Sequence, residues 1–437
     1  MSERRVVSGV GRSVVAAGIA FGLMQAWPSP LGADARKVVV HNVAELEAAM
    51  VPANAGKRIE VRAGVYDLGN ALTVPDGATV IGDGVMTLGA DGLPAGFKPN
   101  GKTLLRATSV LAGDILTLGD GATLRRLAIE DFSGRAGNPV VVASRSAGDS
   151  ITAKILECDI LNPNPPGITP PGPIGRSLVV MTRNPNLGDD PPPHVGATLS
   201  VTLADSILRS PGAGYGVFAI NFAANAKIDL VLRHNVIGGG VNASGGVSRP
   251  DAVSGASVGI ESHGNLYRSD SAAPTAAGWS LIGGTTAPLP GLVSQASTDN
   301  TLRLSSRNDR IEGFDTGVSA VGGQRSAPFP EPSSGNEIEL KMRGARLQSV
   351  TSDLALYGAA SFVDGVSPGD DNEVRVKIRQ SLGSGPRANV YADSWSPTSG
   401  GLGQGNRLRI AGSSVAFANS NEGVEPPPGP EFFDCRD

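Results

Sequence analysis

Seven side chains that could do chemistry fall at two places in a repeated pattern. With the segments that start at Ala226, Ala256, Asn300, Asn336 and Asn372 set in register, the seventh residue after each start is Arg233, His263, Arg307, Arg343 and Arg379. The fifth is Val231, Glu261, Ser305, Lys341 and Lys377. Cations that return at a fixed interval suit a polyanion whose own charges repeat, and Arg adds a planar fork for two-point carboxylate contacts that Lys lacks. Arg233, His263, Arg307, Arg343, Arg379, Lys341 and Lys377 are therefore the candidate ligand-binding residues. If the segments stack at the strand spacing of roughly 4.8 Å, they form a column. Like charges about 6 Å apart in water repel by only about 0.7 kcal/mol, so the column is tolerable without a ligand. Glu337, Glu339 and Glu373 lie close by and are placed to neutralise it. The column then reads as a polyanion site or as a solvated face.

Other chemistry-bearing groups are less specific. Asp189, Asp190 and His194 have metal-ligand types, but they stand in a Pro-rich stretch where carboxylates are usually solvated, and no metal site is expected. The two cysteines, Cys158 and Cys435, either pair in an exported chain or leave Cys158, in its apolar strand context, as an inert buried thiol. A net charge of −4 excludes a generally basic nucleic-acid binder.

The residues that must position the column alternate. In Asn300-Thr-Leu-Arg-Leu-Ser-Ser-Arg, Asn336-Glu-Ile-Glu-Leu-Lys-Met-Arg, Asn372-Glu-Val-Arg-Val-Lys-Ile-Arg and Asn406-Arg-Leu-Arg-Ile-Ala-Gly-Ser, apolar positions alternate with polar ones. That period of two marks half-buried strands. Intervals of 36, 36 and 34 residues between the four Asn point to a solenoid whose turns stack on one another. Hydrophobic residues at 40% and aromatics at 4% predict a long aliphatic core.

Residues 1–35 read as a cleaved export signal: Arg4 and Arg5, an apolar run from Val14 to Ala26, then Ala33-Asp34-Ala35. The apolar run is too short for a stable membrane span. Residues 36–97 are assigned to the N-terminal end and first coils. Here Asn42 and Glu45 predict a capping box on a short helix that covers the first coil, its apolar face made by Val43, Leu46, Ala49 and Met50. Residues 98–421 are assigned to the stack, with Ala122–Ile129 read as one strand and with Pro-rich loops at 161–175 and 184–196. Residues 422–437 form a Pro-rich tail. Asp131, Asp159, Asn235, Asn265 and Asp309 follow strands, and Asn235 and Asn265 are read as rungs of a ladder of stacked turn side chains.

Arg58-Ile-Glu-Val-Arg-Ala-Gly-Val-Tyr66 followed by Leu72-Thr-Val-Pro-Asp-Gly77 resembles the opening of the pectate-lyase-like superfamily. The resemblance implies an all-β fold, a right-handed parallel β-helix solenoid with a short N-terminal capping helix. It brings no activity to particular residues. The run of Asn-Thr-Asp, Asp-Asp, Gly-His-Gly and Arg-Ile-Lys motifs of its hydrolases is absent. Ser262-His263-Gly264 and Lys377-Ile378-Arg379 are partial echoes, and the Trp-Ile-Asp-His stretch of its lyases is missing.

The sequence thus points to an exported monomer, secreted or periplasmic, that binds an acidic, uronate-type cell-surface or matrix polysaccharide without a cofactor. Two alternatives stand beside this one. The first is a polysaccharide lyase or glycoside hydrolase acting on pectin-like or alginate-like substrates, with Ca²⁺ if a lyase. The second is a structural or adhesive surface protein. Three or more carboxylates in one groove favour the enzyme, an unbroken basic column favours binding, and a neutral face favours the structural role.

Overall fold

The strands return in a fixed cycle through three sheets. Val241–Ser248, Ser257–His263, Leu266–Arg268, Ala277–Thr286, Thr301–Arg307 and Arg310–Glu312 visit sheets C, A, B, C, A and B in turn. Sheet A has 12 strands, sheet B 10 and sheet C 11, and every pairing within them is parallel. The fold is a parallel β-helix. This computed structural model describes residues 36–108, 111, 113–132, 137–163, 175–182, 194–211, 214–248, 251–269, 277–286, 295–325, 333–361, 369–379, 382–383, 388–395, 406–412 and 417–418. Residues 1–35, read from the sequence as an export signal, the tail with Cys435, Asp189, Asp190 and most of both Pro-rich loops lie outside the described residues.

Alternation sets which side chains point inward. Leu302, Leu304, Ile338, Leu340, Met342, Val374, Val376 and Ile378 are all buried in one continuous core. Each such side chain contributes roughly 1.5–3 kcal/mol by leaving water. The interior is mainly aliphatic, as composition predicts, but Tyr66, Tyr267, Trp279 and Phe314 are also fully buried. Tyr267 and Trp279 pack with ring centroids 4.7 Å apart. Val43–Ala49 is an α-helix, and Glu45 N–H donates to Asn42 Oδ1 at 2.9 Å. The return bond differs: Glu45 Oε2 accepts from His41 N–H instead of from the Asn42 backbone. Leu46 and Ala49 enter the core.

Two readings need correction. Ala122–Ile129 is two strands, Ala122–Arg125 in sheet A and Ala128–Asp131 in sheet B, because Arg126 turns the chain at φ 57°. The first Pro-rich loop starts later than predicted, since Leu161 still belongs to the strand Asp159–Leu161 and Asn162 is buried. The turn ladder contains Asn235, Asn265 and Asp309 but neither Asp131 nor Asp159. Asp159 instead meets Arg209 at 2.7 Å, and the ladder continues through Ser206 to the Cys158 N–H. Each step is a backbone N–H on the next side-chain oxygen: Asn235 on Asn265 at 2.9 Å and Asn265 on Asp309 at 2.8 Å. Cys158 is buried and makes no disulfide among the described residues, and burial pushes its thiol up to about 12.

A second ladder explains the recurring Asn of the repeats. Asn300, Asn336, Asn372 and Asn406 are buried, and each of the first three donates its backbone N–H and its amide Nδ2 to the Oδ1 of the next, at 2.9–3.1 Å. The neighbouring sheet C strands approach this ladder so closely that a Cβ on Gly284 would lie 2.5 Å from Asn336 Oδ1. Before six successive sheet A strands the chain turns through a left-handed residue, in order Gly196, Asn225, Gly255, Asp299, Gly335 and Asp371. A Cβ on Gly335 would stand 2.5 Å from Asp299 Oδ1, so the side chain of one coil fills the space that glycine leaves on the next.

Asp309 ends its ladder as a carboxyl where its neighbours are amides. It is fully buried, and burial raises it above the ordinary carboxylate range against the hydrogen bonds from Ser262, Ser306 and Asn265. With the folded value above the unfolded one, its contribution is fully present below the ordinary Asp range and is lost as pH rises through the folded value. Asp309→Asn keeps the acceptor oxygen and adds a donor. It is expected to be more stable than the parent near neutral pH, with the gap closing in acid, as urea unfolding near both pH 7 and pH 3 will show.

One antiparallel element breaks the cycle. The hairpin of Met86–Leu88 and Pro94–Phe97 lies over the outward side of sheet B, where Leu93 and Met86 cover Ile207, Val236 and Leu266.

Candidate polyanion-binding site

The parallel register of sheet A brings the seventh-position residues together. Arg233 pairs with His263, His263 with Arg307, Arg307 with Arg343 and Arg343 with Arg379, one residue per coil. All five side chains are exposed. At roughly 4.8 Å per coil the run spans about 19 Å. Ser305, Lys341 and Lys377 are in register beside its lower half.

The column is held from behind by the turn that leads into sheet B. Asp205, His234, Gly264, Asn308 and Gly344 all have positive φ, between 50° and 67°. That conformation aims each N–H at the carbonyl of the seventh-position residue on the next coil. The bonds, His234 to His263, Gly264 to Arg307, Asn308 to Arg343 and Gly344 to Arg379, measure 2.9–3.0 Å. Fixed backbones therefore present flexible cationic heads. The ring of His234 meets His263 edge-on at 5.4 Å, and its Nδ1 is 3.7 Å from Asp205 Oδ1.

Of the acids expected to neutralise the column, Glu339 does reach a candidate, Lys341, while Glu337 and Glu373 serve a different row. Glu339 bonds Lys341 at 2.5 Å and lies 3.8 Å from Arg303, while Glu337 and Glu373 hold Arg375 at 2.8 and 2.6 Å. Glu373 also holds Arg409 at 2.8 Å. The Arg375 hydrogen bond, helped by Arg409 and Arg407 and opposed by partial burial, holds the Glu373 carboxyl below its ordinary range. Apart from Lys341 at the fifth position, this lattice occupies the first and third positions, and four residues of strand put the third position about 13 Å from the seventh. Arg233, Arg307, Arg343 and Lys377 form no ion pair with any described residue, whereas Lys341 is committed to Glu339. The split follows strand position: acids reach neighbours on their own and adjacent coils, and the seventh residue sits at the far end, by the turn.

Among the described residues, the other His and paired Asp residues stay apart from this face. His194 is buried with Ser144 Oγ 2.8 Å from its Nδ1. Asp370 and Asp371 are in the turn before Glu373–Arg379, Asp371 in its left-handed corner. No group of three or more His, Cys, Asp or Glu among the described residues is placed to hold a metal ion. No helix among them is long and apolar enough to cross a membrane. Sequence reasoning missed the cations on the far side of the turn, Arg310 and Arg346. Their signal was available, three residues after Arg307 and Arg343, but it is visible only once the turn is known to fall between them.

No family model and no curated protein matches the chain. Among solved structures it is similar to the crystal structure of Dettilon tailspike protein, at 12% identity and a TM-score of 0.33, over 87% of this chain and 69% of that one. It is also similar to a mannuronic acid specific polysaccharide family 6 lyase from human gut microbiota, at 10% identity and a TM-score of 0.23, over 90% of this chain and 91% of that one. Likenesses this distant bring no function with them.

Proposed function

We propose that the chain binds an acidic, uronate-type polysaccharide of a cell surface or matrix along the seventh-position column. The observation that carries this reading is the segregation of charge on sheet A: the third-position cations are consumed by Glu337, Glu339 and Glu373, while Arg233, Arg307 and Arg343 stay in line, exposed and without an ion pair among the described residues. Guanidinium groups at regular intervals match carboxylates at regular intervals. Nucleic acid fits poorly, because the chain is acidic overall and the flanking lattice would face the phosphates. The neutral-face reading loses ground for the same reason as binding gains it. Export as a right-handed, helix-capped monomer completes the reading, on the strength of the N-terminal sequence and of the packing of Val43–Ala49 on the first coil.

The test is a calorimetric titration with polygalacturonate and with alginate at low salt. The parent should bind, and binding should weaken as salt screens the contacts. Arg307→Ala, Arg343→Ala and Arg379→Ala together should cost about 30-fold in affinity, the sum of three exposed charge contacts, and flatten the salt dependence. Stability should change by no more than about 0.5 kcal/mol. Lys341→Ala should matter little, since its charge is already committed to Glu339. A parent that binds no acidic glycan, or a triple variant that binds as the parent does, makes the column a solvated face.

A further inference from the structure

A carboxylate is already seated on the cations across the turn. Arg310 and Arg346 are register partners on the outward side of sheet B, three residues beyond Arg307 and Arg343 of the same two coils. Arg346 is exposed and has no ion pair among the described residues. Arg310 is occupied: its Nη2 bonds the Asp91 carboxylate, supplied by a residue 219 positions away in sequence. Asp91 lies between the two strands of the hairpin, whose Leu93 is buried on Ile207, Val236 and Leu266. The Leu93 N–H donates to Asp91 Oδ1 at 3.2 Å and steadies the carboxylate. The other charged groups facing this spot are Glu312, on the outward side two residues past Arg310, and Arg268, its partner on the previous coil. Gln348, partner of Glu312 on the next coil, is neutral.

We propose that Arg310 and Arg346 form a second carboxylate-binding row beside Arg307 and Arg343, and that Asp91 is an internal occupant of this row that a uronate carboxylate displaces. The inference rests on the polysaccharide reading above and adds to it a further site. Two rows on either side of one turn can take carboxylates that project from both sides of a chain lying along the corner. The single column could take only those that project from one side. The exchange of Asp91 for a ligand carboxylate is close to neutral in charge contacts, and Leu93 keeps the hairpin attached while its acidic tip lets go.

The same titration with polygalacturonate at low salt tests this, with the parent, Asp91→Asn and Arg346→Ala. Asn keeps the oxygen that the Leu93 N–H needs, and thermal melts should show both variants as stable as the parent. Asp91→Asn should tighten binding about threefold, the scale of one exposed charge pair, and Arg346→Ala should weaken it about threefold. In the parent, amide exchange at residues 91–93 should speed up on adding the polymer, because Asp91 is released. If the parent binds and either shift in affinity is missing, the second row is not part of the site and the sheet A column stands alone. Unchanged hairpin exchange on binding overturns the displacement of Asp91. A parent that binds no uronate polymer removes both readings together.

Discussion

Asn336→Ala should lower the free energy of unfolding by about 3–4 kcal/mol in urea titration. The Asn336 oxygen accepts the backbone N–H and the Nδ2 of Asn300, and its own Nδ2 donates to Ser297 O, Ser333 Oγ and Asn372 Oδ1. Truncation leaves the buried Asn300 N–H without an acceptor, which alone costs about 1–3 kcal/mol, and removes several net hydrogen bonds of about 1 kcal/mol each. A second substitution makes the assignment sharper. Gly284→Ala in the parent forces a methyl within 2.5 Å of Asn336 Oδ1 and should be destabilising. In the Asn336→Ala background the carboxamide is gone and the same methyl finds space, so the two losses should fall short of their sum. Additive losses would mean that Gly284 and Asn336 do not pack as described.

Leu340→Ala and Val376→Ala should each cost about 2–4 kcal/mol, whereas Thr301→Ala should cost little. Leu340 and Val376 are register partners on adjacent coils, 0% and 2% exposed, so each truncation leaves a cavity that the stack above and below cannot close. Thr301 stands half-exposed on the outward side of the same sheet. Equal and small losses at all three positions would overturn the division into inner and outer faces.

What could be read from the sequence was what repeats within a short span. Period-two alternation located the sheet A strands and their faces, and the equal intervals between Arg307, Arg343 and Arg379 predicted the column that the register produces. What could not be read depends on partners far apart or on single backbone angles. The break at Arg126 is invisible in Ala122–Ile129 because an Arg at positive φ leaves no compositional trace. The Asn ladder was visible as a spacing, but its role emerges only from bonds between residues 34 or 36 apart. Glu339 meets the candidate Lys341 as expected, but Glu337 and Glu373 were misassigned because closeness in sequence does not say which end of a strand a side chain serves. The contact between Asp91 and Arg310 spans too much chain for any local pattern to announce.

The alternation of turn residues ahead of sheet A bears on how such a chain can grow. Gly335 has room for no Cβ because Asp299 leans into its place, and Gly255 stands in the same relation to Asn225, at 2.7 Å. Removing the single coil between them would set the Asn225 and Asp299 corners against each other, whereas Gly148 and Gly196 are glycine corners on adjacent coils and carry no such constraint. A change in coil number should therefore be tolerated in even steps between Asn225 and Asp371, and in single steps nearer the helix end of the stack.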